Sequence, residues 1–94
     1  MTESNKSTYR PWSVYLLLCK GNVIYTGVTN DVQRRYLQHC ACKGAKFTRS
    51  RPPLLLLCHA LAGDRSTALK AEYAIKQMPK SKKLLFVQSM ANQV

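Results

Sequence analysis

The sequence predicts a single α+β domain of order β-β-α-β-α-α, with a small antiparallel or mixed sheet flanked by helices. Three observations carry that reading. Two apolar runs, residues 13–19 and 23–28, flank Lys20-Gly21-Asn22 in the pattern of a β-hairpin. Apolar positions recur at helical spacing over residues 31–42 and again after Asp64. Between them, the nearly continuous apolar run at residues 54–62 is bounded by two prolines and Gly63, which suits a strand buried on both faces. At 94 residues the chain can enclose one modest core.

Residues 1–11 are polar and are expected to form a disordered tail, residues 12–90 the domain, and residues 91–94 a frayed end. Trp12 begins the ordered part. In the hairpin, Gly21 and Asn22 tolerate the positive φ that tight turns need. Side chains alternate along a strand, so the loop length decides whether Tyr15 and Tyr25 share a face. A three-residue loop puts Leu17 opposite Tyr25 and both phenols on one face. A two-residue Gly21-Asn22 turn separates them. The residues of the hairpin permit both.

Thr29-Asn30-Asp31 reads as a helix start, with Asp31 in the first turn. Val32, Tyr36 and Cys40 form the expected core stripe of the helix over residues 31–42, with Arg35 and His39 on an adjoining face. Gly44 takes the C-cap position. Residues 43–53, KGAKFTRSRPP, read as a basic loop, which Pro52 and Pro53 keep out of a central strand. After the apolar strand, Asp64 caps a second helix with Ala68, Ala71, Ile75 and Met78 inward, helped by Leu69. Pro79 ends it, and residues 80–90 form a third helix.

Charge sets the partner. Fifteen Lys and Arg against four Asp and Glu give +11, which in so small a domain points to a polyanion, above all nucleic acid. The longest apolar run is too short to span a bilayer and contains His59, and no apolar leader precedes Trp12, so no membrane role and a reduced cytoplasmic setting are expected. The four cysteines lack paired metal-knuckle spacing and read as free thiols.

Carboxylates are scarce, and that makes Glu72 informative. Glu3 lies in the tail, and Asp31 and Asp64 have helix-start roles. Glu72 alone has no local task; it is either a solvated helix residue or a ligand for a hard cation. Arg35 is either a wet surface cation or a bidentate phosphate clamp. His39 can pack, contact phosphate or shuttle a proton, and Tyr15 and Tyr25 can simply pack on the sheet.

Taken together, Ser13-Val14-Tyr15, then Tyr25-Thr26-Gly27, Arg35 ten residues after Tyr25, His39 four later and Glu72 on a following helix resemble the GIY-YIG endonuclease domain. The resemblance covers about residues 12–79, and the basic loop with the GDRSTALKAEYAIKQ stretch looks most like the small single-domain bacterial members of the YhbQ-like type. It implies a three-stranded antiparallel sheet flanked by helices, with the active site on one face; Tyr15 and Tyr25 then belong together. It further implies that Glu72 holds one divalent cation, Mg²⁺ or Mn²⁺, that Tyr15 or Tyr25 assists deprotonation of the attacking water, and that Arg35 stabilises phosphate charge. His39 matches a histidine of the homing-endonuclease branch, and Gly27 closes the second motif. Ser13 and Val14 depart from the first motif, and Val28 stands where the excision-repair branch carries lysine.

The expected function is metal-dependent endonucleolytic cleavage of DNA, directed by structure (branched or single-stranded) more than by sequence. Arg34, Lys43, Lys46, Arg49 and Arg51 are the expected nucleic-acid contacts. Larger relatives carry separate targeting domains; here target choice falls to the basic loop or to a protein partner. The alternative is a nucleic-acid-binding module that keeps the site geometry with little or no turnover.

Overall fold

The computed structural model describes residues 10–92; the expected disorder of residues 1–9 and fraying of 93–94 lie outside them. Three strands form one antiparallel sheet: β1 (Trp12–Cys19), β2 (Val23–Thr29) and β3 (Pro53–Gly63), in the order β2-β1-β3. Among the described residues four helices flank the sheet: α1 (Val32–Cys40), a short α2 (Lys46–Ser50), α3 (Arg65–Lys76) and α4 (Lys80–Ala91). Among the described residues, no helix is long and apolar enough to cross a membrane.

The hairpin takes the three-residue loop. Leu17 pairs with Tyr25 and Tyr15 with Gly27, while Gly21 and Asn22 both adopt positive φ, 89° and 60°. β1 is the central strand and is buried along nearly its whole length. Its two faces serve different layers. Val14 and Leu16 pack with Ile75 of α3 and Val87 of α4 in one cluster. Tyr15, Leu17 and Cys19 face the other way, against Tyr25 and Tyr36.

β3 is a strand, but not one buried on both faces. It is an edge strand, and Leu54, Leu55 and Leu61 are exposed. Its pairing with β1 slips three times, so that Leu54, Leu57 and Ala62 have no partner opposite them. Each slip shifts the inward set by one residue, which is how Leu56 joins one cluster while Leu57 and Cys58 join the other. Pro53 opens this edge strand, where a missing N–H is tolerated.

Helix details depart from expectation in ways that matter for the site. Asp31 is the N-cap of α1, not a first-turn residue: its side chain accepts from Arg34 N at 3.1 Å. The helix stops at Cys40. Cys42, not Gly44, supplies the left-handed residue (φ 60°), and Lys43 N donates to Gln38 O and Cys42 N to His39 O, the two bonds of a Schellman ending. The buried residue of α1 is His39, while Cys40 is exposed. The basic segment holds α2 instead of running as a loop throughout. Asp64 caps α3 as expected, accepting from Thr67 N at 2.8 Å, but Leu69 is exposed.

Candidate active site at the β2 side of the sheet

Tyr15 reaches its position because Gly27 has no side chain. A Cβ at Gly27 would lie 2.5 Å from both Cζ and the hydroxyl of Tyr15, so the ring lies directly over that glycine. Tyr25 stands on the same face, with ring centroids 6.3 Å apart. Its ring meets His39 edge-on at 5.2 Å and stacks on Phe47 of α2 at 5.8 Å and 27°.

His39 is fully buried, and both ring nitrogens are engaged. Nε2 lies 2.8 Å from the Tyr15 hydroxyl, and Nδ1 lies 2.6 Å from Thr48 Oγ1. Burial removes His39 from direct phosphate contact, one of the three roles its position in the sequence allowed. Gly44 lets the chain after α1 fold against the imidazole, since any Cβ there would overlap the ring.

Arg35 lies one turn before His39, half-buried, with Nη1 donating to Gln38 Oε1 at 2.9 Å. Burial pushes the Tyr15 phenol up to about 12; Tyr25 and Glu72 add to the rise, and hydrogen bonding and charge from Arg35 oppose it. Burial, followed by the positive charge of Arg35, pushes His39 down to about 4. Both rings of the Tyr15–His39 pair are therefore neutral at neutral pH.

Glu72 comes from α3, on the far layer, yet its charge is felt at the Tyr15 phenol. Its carboxylate is largely covered and pairs with Lys76 at 3.3 Å. Among the described residues no group of three or more His, Cys, Asp or Glu gathers as a ligand set. The donor chemistry still fits a hard cation, which one carboxylate can hold when water and substrate phosphate supply the other oxygens. It does not fit zinc, because His39 has no free nitrogen and Cys40 and Cys42 point outward.

The structure thus brings Tyr15, Tyr25, Arg35, His39 and Glu72 into one electrostatic neighbourhood. The basic residues do not converge with them. Arg34, Lys43, Lys46, Arg49 and Arg51 are all exposed along the α1–α2 stretch. Arg34 pairs with Asp31 at 3.6 Å, and Arg51 sits against the hairpin turn at Gly21. Residues that sequence reasoning missed fill the gap. Thr48 holds His39, and an open pocket of about 290 Å³ at β2 is lined by Tyr25, Thr26, Phe47, Lys76 and Lys83. No sequence signal marks Thr48, since its partner is an atom brought near only by the fold.

Comparison with known proteins bears on all of this. The GIY-YIG catalytic domain model matches residues 11–84. A UPF0213 protein of Cupriavidus pinatubonensis is 52% identical over 80 residues, covering 85% of this chain and 89% of that relative. One from Yersinia pestis is 53% identical over 72 residues, covering 77% and 76%. The solution NMR structure of a UPF0213 protein from Bacillus halodurans aligns with a TM-score of 0.51 at 36% identity, covering 87% of each chain.

Proposed function

The chain belongs to the GIY-YIG catalytic domain family, and from that premise we propose that it hydrolyses phosphodiester bonds in DNA with the help of one divalent cation. Members of this family are nucleases and generally depend on divalent metal, so nuclease activity on nucleic acid is what membership itself implies. The finer reading rests on one observation: the Tyr15 hydroxyl is hydrogen-bonded to the buried His39 imidazole, one helical turn from Arg35.

Tyr15 and His39 work as a proton relay. Burial raises the Tyr15 phenol to about 12 and lowers the His39 imidazole to about 4, so stepwise transfer between them is unfavourable. A concerted shift avoids that step. As the water oxygen bonds to phosphorus and the P–O bond to the departing sugar oxygen breaks, Tyr15 accepts the water's proton while passing its own to His39 Nε2. The departing oxygen takes a proton from solvent. Arg35 assists twice. Its guanidinium takes the phosphate, and once neutralised by it no longer depresses the proton affinity of His39. Tyr25 and Arg35 beside the buried pair are both half-buried, so they are the site groups a substrate would meet first. Glu72 would hold Mg²⁺ or Mn²⁺, which supplies charge neutralisation at the phosphate when bound.

The substrate side of the reading is branched or single-stranded DNA, selected by the basic stretch or with the help of a protein partner. Phe47, 40% exposed and braced on Tyr25, offers a face on which an unpaired base can stack, with Lys76 and Lys83 beside it for phosphate. A second reading, a binding module with little turnover, is favoured by the Glu72–Lys76 ion pair, because an ammonium already occupies the carboxylate.

The deciding experiment incubates the protein with labelled linear, nicked, flapped, four-way and single-stranded DNA in Mg²⁺ or Mn²⁺, beside Glu72→Ala and Arg35→Ala. Cleavage of at least one substrate, lost in both variants, is expected. Binding without cleavage in all three proteins overturns the enzyme reading in favour of the module.

A further inference from the structure

We propose that Thr48 is a positioning residue that locks His39 in its Nδ1–H tautomer, leaving Nε2 as the bare nitrogen that receives the Tyr15 proton. Its use in catalysis rests on the nuclease reading above; its geometry does not.

The number of available protons fixes the tautomer. Thr48 Oγ1 lies 2.9 Å from the carbonyl oxygen of Ala45, and a carbonyl can only accept. The single hydroxyl proton of Thr48 is therefore spent on Ala45. Towards His39 Nδ1, at 2.6 Å, the same oxygen can offer only a lone pair, so Nδ1 must carry the hydrogen and donate it. A neutral imidazole has one N–H, which leaves Nε2 without one. Across the 2.8 Å contact the Tyr15 hydroxyl is then the donor and Nε2 the acceptor. The direction of the whole chain, Tyr15 to His39 to Thr48 to Ala45, is set at its far end by a backbone carbonyl.

Reversal carries a penalty at every link. If Thr48 donated to Nδ1, two oxygens would face each other at 2.9 Å, and the Ala45 carbonyl would keep only the Arg49 N–H at 3.2 Å. Thr48 and His39 are both fully buried, so water does not reach the contact between them. Gly44 closes the remaining approach to Nδ1, and no other side-chain acceptor contacts that nitrogen among the described residues. The low proton affinity of the buried imidazole agrees, since it keeps the ring neutral and gives the tautomer a meaning at physiological pH.

The test reads the tautomer directly. The chain has two histidines, so the ring nitrogens of His39 can be assigned by long-range ¹H–¹⁵N correlation in uniformly labelled protein, with His59→Gln to separate them. Wild type is expected to show Nδ1 protonated and Nε2 bare. Thr48→Val, which keeps the shape and removes the acceptor, is expected to shift His39 towards Nε2–H; Thr48→Ser is expected to restore the wild-type pattern. On a cleaved DNA, Thr48→Val lowers kcat at least tenfold with KM within twofold, and Thr48→Ser recovers it. A wild-type His39 protonated on Nε2 overturns the proposal without any variant having to fold. So does a Thr48→Val protein that keeps the Nδ1–H form, or one that changes tautomer yet cleaves at the wild-type rate. Should wild type cut no DNA while the tautomer follows Thr48 as expected, the nuclease reading fails and the positioning role stands.

Discussion

The ammonium of Lys76 lies 3.3 Å from the carboxylate of Glu72, one helical turn away along α3, and so occupies the oxygen a hard cation would use. Lys76 is half-exposed and the pair is of the ordinary i,i+4 kind, worth a few tenths of a kcal/mol. Removing it should free Glu72 cheaply. Lys76→Gln is expected to tighten Mn²⁺ binding about two- to threefold, in line with such a pair. Titration followed by electron paramagnetic resonance measures it. Unchanged affinity in Lys76→Gln, with affinity lost in Glu72→Gln, would show that the lysine does not compete.

Gly27 is required by contact, not by backbone conformation. Gly27→Ala sets a methyl 2.5 Å from the Tyr15 hydroxyl, and the rigid ring has to move. The expected cost is about 1–3 kcal/mol, the range for overpacking a dense core. Urea unfolding should show it as a lower midpoint at unchanged slope. The same displacement breaks the Tyr15–His39 bond, so activity should fall further than stability does.

His39 gives the fold an acid limit. Its folded value of about 4 lies below the unfolded value near 6.5, so between these the unfolded chain binds the extra proton. Stability contributed by the neutral ring is complete above pH 6.5 and is lost as pH falls towards 4. The whole effect is at most about 3 kcal/mol. Unfolding free energies measured from pH 7 to pH 4 should fall with about one proton's slope in wild type and be flatter in His39→Gln.

Binding to DNA should be driven by phosphate contacts, given a net charge of +11. Fluorescence anisotropy in EDTA, over a salt series, should give a steep negative slope. Lys46→Ala and Arg49→Ala, both on the exposed face of α2, are each expected to reduce that slope by about one. Salt-insensitive binding would mean that the charge serves another purpose.

Much of the fold is legible in the sequence. The turn chemistry of Gly21-Asn22 marked the hairpin, the resemblance chose its register, and the scarcity of acids singled out Glu72. The errors share a cause. In α1 the apolar spacing favoured Cys40, whereas the buried position belongs to His39, a polar ring that interior packing accepts because Tyr15 and Thr48 satisfy it. Hydropathy cannot register a partner that arrives from another element. In β3 a run of leucines looked like an interior strand because apolar residues occur at every position. The three slips against β1 are what assign Leu56 inward and Leu55 outward, and slips leave no mark in composition.

That β1 is at once the first of the described strands and the middle of the sheet has a kinetic consequence. The hairpin with β2 closes over a three-residue loop, a local event that takes on the order of microseconds. Tyr15 and Tyr25 are therefore set side by side early. The opposite edge of β1 has to wait for β3, which follows two helices later in the chain, and long-range pairing of this kind is slow. During that interval β1 offers an unpaired edge next to Val14 and Leu16, a surface open to aggregation. Mutations that delay β3, including those that straighten its bulges, should thus lower the yield of folded protein before they alter anything in the finished site.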